Sequence, residues 1–212
     1  MTGSSGGSRA GSSRRSGRSW SRNATRSAAC SGNGNRPTRC WARPGVGGKK
    51  TGKNPTDRGK KGTKKSLLVD GDGGPLGVVI AGANVVEQKL LKETIEAIVV
   101  ERPDPTDEQQ NLCLDKGYDN PNGREAAKTG GYIPHIRKIG EEAKKCDRSK
   151  GHKPRRWVVE RTFAWLSKCR GILVRYDKKD GNYLGLIQLA CGLLWYRRLY
   201  RKGQCDATQN IT

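Results

Sequence analysis

The chain carries no acidic side chain before Asp57, and no Leu, Ile or Phe before Leu67. It has two histidines, His135 and His152, in 212 residues, and one Phe. Each scarcity excludes something. With no run of about 18 uninterrupted apolar residues, no segment reads as a membrane span. The opening segment has no apolar core of the kind a secretory signal needs. The seven cysteines, at 30, 40, 113, 146, 169, 191 and 205, form no CxxC pair and are odd in number. No histidine stands at ligand spacing from any of them, which argues against a zinc site and a disulfide framework and for a reducing cytosol. Cys113, Cys169 and Cys191 lie in apolar runs and read as core thiols. The same two histidines leave no credible Ser/His/Asp arrangement, and Gly48-Lys49-Lys50-Thr51-Gly52-Lys53-Asn54 lacks the spacing and final hydroxyl of a P-loop.

Positive charge and glycine are abundant. There are 42 Lys+Arg against 20 Asp+Glu, a net charge of +22, together with 29 Gly. Only 33% of residues are apolar, below the roughly 45–50% of ordinary globular chains. An excess of this size points to a polyanionic partner, most simply nucleic acid. Its distribution is uneven: residues 1–56 hold 12 basic side chains and no acidic ones, leaving +10 for the other 156 residues. Residues 1–48, mostly Ser, Gly, Arg, Ala and Asn, cannot offset their chain entropy by burial and read as a disordered tail. Two readings of that tail stand side by side. It is either a basic arm that holds phosphates or out-of-frame translation of a GC-rich gene.

From about residue 63 the pattern is that of a folded domain, over 49–203, with 204–212 a second disordered tail. Ser66–Val69 and Leu76–Ala81 read as strands joined through Asp70-Gly71-Asp72-Gly73-Gly74-Pro75, dense turn chemistry. Leu90, Leu91, Ile95 and Ile98 space a helix from Glu87 to about Val100. A short strand over Asn111–Asp115, a helix over 120–129 and a strand over Tyr132–Ile136 follow. A polar linker, roughly 138–152, leads to a helix over about 155–170. The last helix, about 181–200, is apolar on most sides and reads as a buried packing helix. This order is an α/β arrangement with an antiparallel hairpin at one end, the pattern of an RNase H-like mixed sheet with flanking helices that lacks its first strand.

Two carboxylates sit where chemistry could use them. Asp115 ends a buried strand, at the sheet edge where ligands of α/β proteins collect. Glu160 has Val158, Val159, Phe163 and Leu166 as neighbours, so it reads as close to the core-facing stripe of its helix, where a carboxylate needs a partner or a metal. Arg156, four residues earlier, shares its face and offers a plain ion pair as the simpler explanation.

Three separated blocks carry a resemblance. They are Asn54-Pro55-Thr56-Asp57-Arg58-Gly59-Lys60-Lys61-Gly62 with Leu67-Leu68-Val69-Asp70-Gly71; Asp115-Lys116-Gly117-Tyr118-Asp119; and Arg156-Trp157-Val158-Val159-Glu160-Arg161-Thr162-Phe163-Ala164-Trp165-Leu166. In order and separation they resemble bacterial insertion-sequence transposases of the DDE type, over about residues 47–200. The resemblance implies an RNase H-like catalytic domain that cleaves DNA at element ends and transfers the strand to target DNA, using two Mg²⁺ ions on an Asp, Asp, Glu triad. Hard cations of this kind want oxygen ligands, and a pair about 4 Å apart would stabilise the attacking and leaving oxygens of an in-line displacement. Asp115 matches the second carboxylate, Glu160 the third, and Arg156 the Arg four residues before the Glu. The Tyr that many relatives place three residues before that Arg is Lys153 here. Lys116, Arg156 and Arg161 would hold phosphates. Terminal inverted repeats and target DNA are the implied partners, a homo-oligomer the implied assembly, and the bacterial cytoplasm, at the nucleoid, the implied location.

The first carboxylate has no match. Relatives carry it on a strand upstream of the Asn-Pro-Thr-Asp-Arg-Gly block, where this chain has no acid. Asp57 belongs to the block itself, and Asp70 falls in the hairpin turn, so both are weak substitutes. A frameshift near residues 45–48 is the economical explanation. The chain is then a transposase defective in cleavage, or a non-catalytic DNA-binding remnant or regulator of the same origin. A basic RNA-binding protein is the third class, but no RNA-recognition motif supports it. Translation of the upstream DNA in the other two frames is expected to reveal an Asp-bearing strand segment. If no frame encodes one, the frameshift explanation fails.

Overall fold

The structure is a computed structural model that describes residues 26–29, 41–44, 48–55, 58–136 and 156–209; the polar linker and Asp57 lie outside these. A mixed sheet is built around one long strand, β4 (Lys61–Val69). It is paired along one side by β5 (Pro75–Gly82), antiparallel, from Thr63 opposite Gly82 to Val69 opposite Pro75. Its other side is shared. β1 (Arg26–Ala29) pairs antiparallel with its carboxyl end, Ala28 opposite Val69, and β2 (Trp41–Pro44) with its amino end, Ala42 opposite Thr63. β3 (Gly52–Lys53) pairs with its first residues. On the far side of β1 lies β6 (Gln110–Leu114), parallel, and beyond it β7 (Tyr132–Ile136), also parallel. The order across the sheet is therefore β5, β4, β1, β6, β7. The short β8 (Val174–Arg175) runs parallel to β2.

Alternate residues of the strands point to opposite faces and build two cores. Leu68, Leu112 and Leu114 pack with Leu91 and Ile95 of α1 (Glu87–Glu96), with Ala127 of α2 (Pro121–Thr129), and with Tyr118 and Tyr132. Leu67, Val69, Val78 and Ile80 face the other way. They pack with Val158, Val159, Phe163 and Leu166 of α3 (Arg156–Leu166), Ile172 of the short α4 (Arg170–Leu173), and Tyr183 and Ile187 of α5 (Asp180–Gln209).

The structure departs from the sequence expectation in five places. First, the chain before residue 48, read as a tail, supplies β1 and β2, and β1 stands in the middle of the sheet. Arg-Ser-Ala-Ala has no β-branched residue to announce a strand. Second, β4 begins at Lys61 rather than Ser66. Lys64 and Lys65 are buried, which their polar tips allow: the Lys64 ammonium donates to the Val85 carbonyl at 2.8 Å and pairs with Glu87 at 3.2 Å, while that of Lys65 reaches the Ile172 carbonyl at 3.4 Å. Third, α1 stops at Glu96, because the next residues turn back and the Val99 amide donates to Leu76 of β5. Fourth, α3 stops at Leu166, and Cys169, expected in the core, is exposed. Fifth, α5 runs on to Gln209 and is not wholly buried: Leu186, Leu189, Leu193, Tyr196, Leu199 and Tyr200 face outward.

Arg175 is fully buried and accounted for. It donates to Thr63 Oγ1 at 2.8 Å and to the carbonyls of Asp177 and Lys178, and it lies over the Tyr183 ring. Tyr183 in turn donates to the Ile172 carbonyl at 2.7 Å, and burial pushes its phenol well above the ordinary range. Burial also pushes the Cys191 thiol up to about 11. A raised thiol pKa keeps the unreactive neutral form to higher pH. Alkylation of the native protein at pH 8 is therefore expected to label Cys169 and spare Cys191, with Cys191 reacting only as the pH nears 11 or the fold opens; peptide mapping reads the difference.

Candidate functional site

Asp115 stands one residue past β6, at its carboxyl end, as the sequence requires. Its backbone is still extended, and its carboxylate caps the single 3₁₀ turn Lys116–Tyr118 by accepting the Lys116 amide at 2.8 Å. The turn is anchored from two directions. Tyr118 is fully buried beneath it, and Gln88 of α1 donates its side-chain amide to the Gly117 carbonyl at 2.7 Å. Asp119, the second acid of the same block, is committed to Arg124 at 2.6 Å. Strand alternation puts Asp115 on the same face as Cys113, which packs against the core that α3 covers. Asp115 and α3 therefore share a side of the sheet. Lys116 is exposed beside it.

Glu160 lies on α3 but not on its buried stripe. Val158, Val159, Thr162, Phe163 and Leu166 face the sheet, while Glu160 is exposed. The expectation that it sits close to the core-facing stripe is corrected, and with it the desolvation argument. At 100° per residue, position 160 falls more than a quarter turn from the centre of that stripe.

Arg161, expected to hold phosphates, is occupied elsewhere. Its guanidinium lies 4.6 Å from the Trp157 ring and 5.0 Å from that of Trp165, each four residues away along α3, and donates to the Asp72 carbonyl. Thr162 on the same helix donates to the Gly73 carbonyl at 2.8 Å. Both residues thus fasten α3 to the β4–β5 hairpin turn. Gly73, at φ +89°, has the left-handed backbone that this turn needs, and a side chain there would meet Arg161 and Thr162 at 3.0 Å.

Asp70 is the centre of that turn. One carboxylate oxygen accepts the amides of Asp72 and Gly74, at 2.9 and 2.7 Å; the other accepts Arg198 of α5 at 2.7 Å. The second arm of Arg198 takes Asp72 at 2.7 Å, and Trp195, one turn back, donates its indole N–H to the Pro75 carbonyl. Extending the strand register, Asp70 is level with Ser27 and Leu112, three residues and so about 10 Å back from Asp115 along the sheet. The structure does not bring Asp70 to Asp115. Nothing in the spacing of residues 126–128 apart could have announced the Asp70–Asp72–Arg198 knot. A cavity of about 690 Å³ opens beside it, lined in part by Asp72, Trp165, Lys168, Trp195 and Arg201; neither Asp115 nor Glu160 lines it.

Two-metal chemistry asks for a third carboxylate beside Asp115. The strand next to β6 is β1, in register from Arg26 opposite Asn111 to Ala29 opposite Leu114, and its four residues include no acid. Among the described residues no group of three His, Cys, Asp or Glu is placed to hold a metal ion. Among the described residues the donors beside Asp115 do not make up a two-metal site.

The hairpin knot can be tested directly. Arg198→Ala leaves Asp70, a buried carboxylate, without its cation and is expected to cost about 2 kcal/mol. Arg198→Lys should recover less than half of that, because one ammonium does not span two carboxylates as the guanidinium fork does. Urea denaturation of the three proteins reads both numbers.

The chain matches the family described as Transposase DDE domain over residues 25–195, starting inside the segment that sequence reading set aside as a tail. It is 34% identical over 170 residues to a putative transposase for insertion sequence element IS402 from Burkholderia cepacia, a match covering 79% of this chain and 76% of that protein. No solved structure matches it. No helix among the described residues is long and apolar enough to cross a membrane. With a family match over most of its length and a close relative of the same kind, the chain belongs to the DDE transposases of insertion sequences.

Proposed function

We propose that this chain is a DNA-binding transposase derivative that does not cleave. The observation that carries this reading is β1: the strand in register beside β6, Arg26–Ala29, supplies no carboxylate next to the Asp115 edge. An RNase H-like architecture is supported by the strand order β5, β4, β1, β6, β7, with β1 antiparallel to β4 and parallel to β6. In that reading Asp115 and Glu160 are survivors of a Mg²⁺-binding triad, and Lys116 and Arg156 flank DNA. Arg161 serves the hairpin turn instead. Asp70 does not replace the lost ligand, because both of its oxygens already have donors.

DNA remains the partner because the charge remains. The chain keeps its net +22, and phosphate contacts of this kind need no metal and little sequence. The terminal repeats of the parent element are the natural ligand, the protein acts in the bacterial cytoplasm at the nucleoid, and it would compete with an intact enzyme for those ends. The second reading, a competent transposase, applies where a longer product of a programmed frame change replaces β1 with an Asp-bearing strand.

Element-end DNA is expected to be bound with affinity that falls steeply with salt, and not to be nicked in Mg²⁺ or Mn²⁺. Asp115→Ala and Glu160→Ala should leave binding within twofold of the parent. Metal-dependent nicking by the unaltered chain, lost in either variant, would overturn the reading; gel shift and a labelled-strand nicking assay decide. Ala28→Asp is the complementary variant and should gain divalent-metal binding, measurable by calorimetry.

A further inference from the structure

α5 carries an apolar seam that the fold leaves open. Leu186, Leu189, Leu193, Tyr196 and Tyr200 are between 36% and 65% exposed, and their spacing is three, four, three, four. That is the a/d repeat by which one helix packs along another. The opposite side of α5, through Tyr183, Ile187, Ala190 and Cys191, is already spent on the core. Within the seam the Tyr196 and Tyr200 rings stack at a centroid separation of 6.3 Å. Gly185 and Gly192, seven residues apart, lie along its edge with Leu199 next in the series. Glycine weakens a helix interior, and neither position is crowded: among the described residues no atom lies within 4 Å of where a side chain would begin. The fold of one copy gives no reason for them, whereas a second helix approaching closely does.

We propose that this seam is the surface on which two copies of the chain associate, α5 against α5. Area, register and charge argue for a second copy as the occupant. At their fractional exposure the five seam residues and Leu199 present roughly 600 Å² per chain, against about 800 Å² per partner in a standard stable interface. The remainder is within reach of the residues flanking the seam. A two-fold interface must be self-complementary, and a seam centred on Leu193 is, with Leu186 meeting the region of the partner's Tyr200 and the open backbone at Gly185 giving that ring room. Charge sets the direction. Arg197 and Arg201 stand in the second half of the helix, with Lys202 next in sequence and Arg198 taken by Asp70 and Asp72, while the first half up to Trp195 holds Asp180 and no cation. Parallel pairing would lay the two basic halves side by side; antiparallel pairing keeps them at opposite ends. The inference rests on the geometry of α5 and holds whether or not the chain cleaves DNA.

Sedimentation of the full-length chain without DNA should give twice the 23.2 kDa chain mass. Leu189→Lys and Leu193→Lys should each return the single-chain mass with unchanged far-ultraviolet circular dichroism, since both side chains face outward. A single-chain mass for the unaltered protein overturns the proposal, and so does a dimer that survives in either variant. Orientation is read by oxidation, with cross-linked peptides mapped to exclude the native cysteines. Two copies of Leu193→Cys should join across the two-fold axis. Two copies of Leu186→Cys should not, being about 21 Å apart along antiparallel helices; a disulfide between them would overturn the antiparallel arrangement.

Discussion

β4 is the constraint from which the rest follows. Its backbone is hydrogen-bonded on both sides and its side chains are buried on both faces, so every other layer is placed relative to it. A strand in that position admits few polar side chains, yet β4 carries Thr63, Lys64, Lys65 and Ser66 in sequence, all buried. Each is paid off locally: Thr63 by Arg175, Lys64 by Glu87 and the Val85 carbonyl, Lys65 by the Ile172 carbonyl, and Ser66 by Thr94. These pairings also fix the surroundings. Glu87 starts α1, Ile172 sits in α4 and Arg175 forms β8, so the polar half of β4 orients three elements that the apolar half, Leu67 to Val69, could only attract.

What the sequence made legible was what depends on period. Leu90, Leu91 and Ile95 announced α1, and the run before Asp115 announced a strand ending in a carboxylate. What stayed hidden depends on tertiary context. Arg26–Ala29 has the composition of a tail and becomes a strand because β4 and β6 both present ladder groups to the gap between them. Glu160 was misjudged because its neighbours in sequence are apolar, although its neighbours in space are set by the helical turn. α5 was misread for a related reason: a helix apolar on most sides looks wholly buried, and here half of that apolar surface is left outside.

In the proposed reading the site has kept its placement and lost a donor. The carboxyl end of β6, the cap on the Lys116 turn and the docking of α3 on the same face are all intact, and each is held by contacts that have nothing to do with metal binding. Family membership and the proposed loss of a ligand are therefore compatible, because the fold of the edge does not depend on metal chemistry.

The Asp70–Arg198 pair spans 128 residues of chain. At bacterial synthesis rates of about 5–20 residues per second, the hairpin turn leaves the ribosome roughly 6–25 s before its cation does. During that interval α3 and the turn have Arg161 and Thr162 to join them, but the carboxylates of Asp70 and Asp72 await the last helix. The order of translation thus becomes an order of assembly, in which the carboxyl-terminal helix closes the sheet end that the earliest hairpin opened. A chain released before residue 198 would carry every element of the Asp115 edge and still lack that final fastening.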